Sequence, residues 1–112
     1  MSEHFRVEEI DGVSVVPLAG PQLLSDAGGD LYGLAEGGGH ERLLLDFRAV
    51  EFLSSKALAM LIILRRKVDA AGGRLRLCGL APHLVDLLRI TRQLDQFEVF
   101  DSRQEALRAF RG

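Results

Sequence analysis

The chain has 112 residues, with 14 Lys and Arg against 16 Asp and Glu, so its formal net charge near neutral pH is −2. Hydrophobic residues make up 47% and aromatics 6%, with one Cys and no Trp. That size suits a single domain, the charge balance is unlike the basic footprint of many nucleic-acid binders, and one cysteine excludes an internal disulfide framework or a Cys-cluster zinc site and fits a reducing compartment.

Turn signals divide the chain into alternating short strands and helices. Residues 5–10 and 13–18 flank Asp11-Gly12, a two-residue hairpin signal. Pro17 cannot donate to a ladder, so it belongs at an edge or near the end of its strand. Residues 24–36 place Leu24, Ala27, Leu31 and Leu34 at helical spacing, but Gly28, Gly29 and Gly33 each cost about 0.8–1 kcal/mol relative to Ala. A weak helix is expected there, ended by Gly37-Gly38-Gly39. Leu43-Leu44-Leu45 marks a strand buried on both faces. The strongest helix opens at Leu53, Ser54 and Ser55 and runs to about Ala71, where Gly72-Gly73 stops it. Residues 74–78 alternate Arg and Leu, which predicts a strand with one face on the core. Pro82 sits at a first helical position, with Leu84, Leu87 and Leu88 as the apolar stripe of the next helix. Residues 97–100 form a short strand. Ser102 and Glu105 make a capping-box pattern for a last helix with Ala106, Leu107 and Phe110 inward. The order β-β-α-β-α-β-α-β-α is that of one α/β layer structure with a mixed sheet.

The central helix carries more apolar surface than one sheet contact requires. At about 100° per residue, Ala57, Met60, Leu61, Leu64, Val68 and Ala71 form the core stripe. Lys56, Arg65, Arg66, Lys67 and Asp69 occupy the remaining arc, yet Leu58, Ile62 and Ile63 fall inside it. Either neighbouring helices cover these side chains, or they form a docking patch for another protein. Ser54 and Ser55 stand at the helix start. A serine there is an ordinary N-cap. The same position, with its unpaired N–H groups and positive dipole end, also receives a phosphate well.

The stretch Leu43-Leu44-Leu45-Asp46-Phe47, followed by Val50-Glu51-Phe52-Leu53-Ser54-Ser55-Lys56-Ala57-Leu58, resembles the strand–loop–helix core of STAS domains, in particular the bacterial anti-sigma factor antagonists (anti-anti-sigma factors). Gly72-Gly73, the strand at 75–78, the helix at 84–88, Ile90-Thr91 and Phe97 continue the pattern. The resemblance implies one STAS-like (SpoIIaa-like) domain over residues 1–112, with a mixed sheet of about four or five strands packed by about four helices. It implies a non-enzymatic, cytoplasmic protein that binds an anti-sigma factor when unphosphorylated and so frees a sigma factor. In that family the partner is commonly an ATP-using serine kinase, and a phosphatase reverses its mark. The family motif, roughly Asp-Ser-Ser/Thr-Gly, maps onto Leu53-Ser54-Ser55-Lys56 and makes Ser54 the phosphoacceptor, with Ser55 its neighbour. The implied partner surface is Leu23, Leu53, Ser54, Ser55, Lys56, Leu58 and Ile62. Leu53 replaces the motif's acid and Lys56 its glycine. After the second strand, where many members carry an Asp close behind a glycine, Gly20-Pro21-Gln22-Leu23 has none, and Asp26 lies further on. These departures favour a second reading, a phosphorylation-independent adaptor in a signalling scaffold or transporter-associated complex.

The other constellations point to no chemistry, so no catalytic residue, cofactor or metal is expected and a small enzyme or ligand-binding protein stands last. His4, His40 and His83 show no ligand spacing with one another or with Cys78, which reads as a small buried residue. Gly37-Gly38-Gly39-His40 lacks the Gly-Lys-Ser/Thr ending of a phosphate loop, and neither serine sits in a G-x-S-x-G elbow. Asp46, at a strand end, is expected to hold the following loop through local hydrogen bonds. Arg65-Arg66-Lys67 with Arg74 and Arg76 are expected to solvate an outer face rather than bind nucleic acid. The longest apolar run, residues 57–64, is far short of the roughly 20 residues of a membrane span, and residues 1–6 lead into no apolar signal segment.

Overall fold

The computed structural model describes residues 6–19 and 41–111. The expected helix at 24–36, with Leu23 and Asp26, lies outside the described residues, as do His4 and His40. The hairpin forms as its turn dictates. Asp11 and Gly12 both adopt positive φ, 53° and 81°, the backbone of the tight turn that Asp-Gly favours. β1 (Glu8–Ile10) and β2 (Val13–Ala19) pair antiparallel from Glu8↔Val15 to Ile10↔Val13. β1 therefore covers β2 only as far as Val15. Pro17 lies past it, where no amide is needed on that side, and the register against β3 shifts between Pro17 and Ala19.

β3 (Arg42–Ala49), β4 (Arg74–Cys78) and β5 (Glu98–Phe100) follow in parallel, and the sheet order is the chain order, β1-β2-β3-β4-β5. Strand side chains alternate between the two faces, and each face has its own core. On one, Val16, Leu18, Leu43, Leu45, Phe47, Leu75 and Leu77 meet two helices, α1 (Ser55–Ala70) and α2 (Pro82–Ile90). On the other, Val13, Val15, Leu44 and Cys78 meet Ala106 of α3 (Arg103–Arg111). Leu43, Leu44 and Leu45 are accordingly all fully buried.

β4 departs from the alternating reading. Leu75, Arg76, Leu77 and Cys78 are all buried, because α3 covers the face that the Arg–Leu alternation left to solvent. α1 buries Ala57, Met60, Leu61, Leu64 and Val68 as its periodicity requires. Ala71 does not join them. It is the exposed C-cap, its N–H closing on the Lys67 and Val68 carbonyls. Two residues on, a side chain at Gly73 would place its Cβ 2.5 Å from the Glu41 carbonyl oxygen, which also accepts the Arg74 N–H at 2.6 Å. A 3₁₀ turn at Leu94–Gln96, which the sequence reading left out, precedes β5. Ser102 Oγ accepts the Glu105 N–H at 3.2 Å, so the expected cap starts α3.

Candidate functional site

Sites in open parallel sheets gather outside the carboxyl ends of the strands, and here that edge presents the start of α1. After β3 the chain turns tightly, the Val50 N–H donating to the Phe47 carbonyl at 2.9 Å, and Val50 is buried. The Glu51 carbonyl is hydrogen-bonded to His83 Nε2, which ties the loop to the first turn of α2. Leu53 packs half-buried on the core. Ser54 then takes an extended conformation, φ −79° and ψ 166°, and its Oγ accepts the Ala57 N–H at 3.0 Å. Its carbonyl accepts the Leu58 N–H at 3.0 Å and so closes the first helical turn. Ser54 is therefore the N-cap. The first amides of a helix have no carbonyl one turn back, and the first turn of α1 holds no acidic side chain to offset its dipole.

Around that cap the expected surface is only partly assembled. Ser55 and Lys56 are exposed and Leu53 and Ser54 half-buried. Leu58 and Ile62, however, are half-buried and packed against the main core, so the fold absorbs much of their apolar surface. The apolar side chains that face solvent are others: Phe52, 57% exposed, and Ile63, 43% exposed. By helix geometry Ile63 lies within about 40° of Lys56 and Ala59, and both of these are exposed. Phe52 was missed as a candidate, whereas Ile63 was singled out with Leu58 and Ile62 as apolar residues on the polar arc. The angular position of Ile63 was the signal for it, and Phe52 belongs to a loop without periodicity that offers none. Ile90 is more exposed still, at 79%, but stands at the far end of α2.

Asp46 does more than hold a loop. It is 2% exposed, and its Oδ1 accepts the Arg48 N–H at 3.0 Å, the local bond expected. Its Oδ2 also accepts from Arg48 Nε at 3.1 Å and from Arg103 Nη2 at 2.8 Å, while Arg103 Nη1 reaches Glu8 at 3.3 Å. A buried carboxylate thus clamps the first residue of α3 to the sheet. Beside it, burial and then the Asp46 charge push the Cys78 thiol up to about 12. A thiol so protonated is a packing group, not a nucleophile. Among the described residues no cluster of His, Cys, Asp or Glu could hold a metal ion, and no helix is long and apolar enough to cross a membrane.

The basic residues divide differently from the expectation of a solvated outer face. Arg65 is paired with Asp69 one turn along α1, at 2.8 Å. Arg76 is only 7% exposed, lies against the Phe110 ring with its guanidinium carbon 4.3 Å from the centroid, and donates to Glu98 at 3.1 Å.

The model of the STAS domain family matches residues 4–106. The chain belongs to the STAS family. Over 73 residues it is 32% identical to BtrV of Bordetella bronchiseptica, a protein named as an anti-sigma factor antagonist; the match covers 65% of this chain and 63% of that one. The STAS domain protein of Planctomyces limnophilus, an anti-sigma-factor antagonist domain by name, shares the fold with a TM-score of 0.83. The identity is 22%, over 96% of this chain and 98% of that one. The phosphorylated form of the Bacillus cell-fate determinant SpoIIAA does so with a TM-score of 0.72 at 17% identity, covering 95% and 98%. The mixed five-stranded sheet is thus the STAS fold that the resemblance implied.

Proposed function

We propose that this STAS domain is an anti-sigma factor antagonist: a non-enzymatic, cytoplasmic module that binds an anti-sigma factor with serine-kinase activity and so releases a sigma factor. Ser54 is its phosphorylation site. The observation that carries the reading is the serine cap of α1, at the carboxyl edge of the sheet, with no acid in the first turn, exposed Phe52 two residues before it and exposed Ile63 further along the helix. The name of BtrV and the phosphorylated form of SpoIIAA support it.

In the unphosphorylated state Phe52, Leu53, Ser55, Lys56 and Ile63 offer the partner an apolar and cationic surface, with half-buried Leu58 and Ile62 on another side of α1 and Leu23 as further candidates. The kinase transfers the γ-phosphoryl group of ATP to Ser54 Oγ. The Oγ–P bond forms, the bond to ADP breaks and the hydroxyl proton leaves. The phosphate adds about −1.5 to −2 charges. The helix end accommodates that charge, while an apolar or acidic partner surface is repelled and must desolvate it. A phosphatase restores the binding form.

Incubation with the cognate kinase and ATP, followed by peptide mapping by mass spectrometry, tests the site, and phosphate persisting in Ser54→Ala would overturn it. Ser54→Asp should weaken partner binding by at least about 1 kcal/mol. Lys56, exposed beside Ser54 where the family motif has glycine, favours a constitutive adaptor instead. Equal affinity of the wild type, Ser54→Asp and the kinase-treated protein would decide for that reading.

A further inference from the structure

At the opposite edge of the sheet, where β3 and β4 begin, three arginines converge. Arg42 and Arg74 are directly paired across the β3–β4 ladder, and alternation sets both on the α3 face together with Arg76. With Ala109 and Phe110 of α3 they line a cleft of about 310 Å³, and among the described residues no carboxylate lines it. Glu98 bonds from the side, to Arg74 at 3.4 Å and Arg76 at 3.1 Å. Two of the three guanidinium groups thus share one carboxylate.

The fold alone gives no reason for this arrangement. Like charges on directly opposed strand positions are destabilising. Arg76, 7% exposed, keeps a buried Nε with no hydrogen-bond partner among the described residues, and an unmet charged donor is costly. Its stacking on Phe110 orients the guanidinium plane but satisfies none of its N–H groups. The last-turn carbonyls of α3 supply only about half a negative charge, against a local excess of two positive ones.

We infer that this cleft binds a phosphate group, either free phosphate or the phosphate of a small monoester whose apolar part lies against Phe110. Guanidinium forks match the geometry of phosphate oxygens; Arg42 is exposed, and Arg74, also exposed, can exchange its long 3.4 Å bond to Glu98 for an anion in the cleft that Arg76 lines with them. The site is distinct from Ser54 and independent of the function proposed for it.

Amide and arginine side-chain NMR resonances of the whole chain, in phosphate-free buffer, are followed during titration with inorganic phosphate, phenyl phosphate or sodium chloride at matched ionic strength. Saturable shifts at Arg42, Arg74, Arg76 and Phe110 with either phosphate, absent with chloride, are expected. Arg42→Gln and Arg74→Gln should each weaken binding about tenfold. Tighter binding of phenyl phosphate, with shifts of the Phe110 ring, identifies an ester; equal binding identifies free phosphate. Shifts that do not saturate, that chloride reproduces, that both variants leave unchanged, or that are confined to residues 54–57 overturn the assignment.

Discussion

Ser54 has two tasks in this structure, and substitution separates them. Ser54→Ala removes the acceptor of the Ala57 N–H, a 3.0 Å bond at a half-buried helix end. Loss of such a cap costs about 1 kcal/mol. With 112 residues at about 2.1 cal/mol/K each, the entropy of unfolding is near 0.24 kcal/mol/K, so Tm should fall by about 4 °C. Ser54→Asp behaves oppositely. Asp caps as well as Ser, and its charge meets a helix dipole that no acid in the first turn offsets. That adds about 0.3–1 kcal/mol, or roughly 1–4 °C. Calorimetric unfolding in low salt should therefore rank Ser54→Asp at or above wild type and Ser54→Ala below both, with the gap narrowing as salt rises. Should Ser54→Asp melt with Ser54→Ala or lower, the helix end does not accommodate negative charge, and any loss of partner binding by Ser54→Asp would be a folding defect.

Two further outcomes follow from the opposite face of the sheet. Asp46→Asn keeps the shape of the clamp but leaves Arg103, 23% exposed, with Glu8 as its remaining acid; urea unfolding should show a loss of about 2–3 kcal/mol, and a loss under about 0.5 kcal/mol would mean that the ion pair stabilises nothing. Cys78, held protonated in the fold, should resist a thiol reagent at pH 8 until the protein unfolds. Because its folded value, about 12, lies above the unfolded one of 9.0, its contribution to stability is complete below about pH 9 and is lost as pH rises towards 12. Cys78→Ser should flatten that alkaline decline, and an unaltered decline would exclude the thiol as its cause.

How legible each part was depended on the range of the interaction behind it. The Asp-Gly hairpin, the triple-leucine strand, the Ser54 and Ser102 caps and the five-residue core stripe of α1 all rest on contacts within a few positions, or on a period that the chain repeats. Ser54 was legible for that reason. β4 was misread because the cover on its second face comes from α3, some thirty residues later, and the alternation of Arg and Leu carries no trace of it. The Asp46–Arg103 pair spans 57 positions, and nothing near Asp46 announces its partner. Leu58 and Ile62 were left between two readings, cover by neighbours or docking, and the fold half-buries them. Their place on the polar arc was read correctly, and packing rather than position decided how much of them solvent reaches; Phe52, in a loop with no period, is also left exposed.

The distances along α1 also limit what a charge at Ser54 can do. Ile63 lies nine residues from Ser54, about 13 Å along the helix at 1.5 Å per residue. Phe52 is two residues away. At physiological salt the screening length is about 8 Å, so a charge at the cap acts on a partner group over Phe52 and is largely screened over Ile63. Phosphorylation should then weaken the interface from one end rather than abolish it. A double-mutant cycle on partner affinity reads this directly. Phe52→Ala combined with Ser54→Asp should depart from additivity by at least about 0.5 kcal/mol, whereas Ile63→Ser combined with Ser54→Asp should add within about that amount. Folding would not obscure the result, because Phe52 is 57% and Ile63 43% exposed, so their replacement should cost about 1 kcal/mol or less and leave the chain folded. Equal coupling of the two positions to Ser54 would mean that the switch moves α1 or its loop as a body, and a local field would no longer account for it.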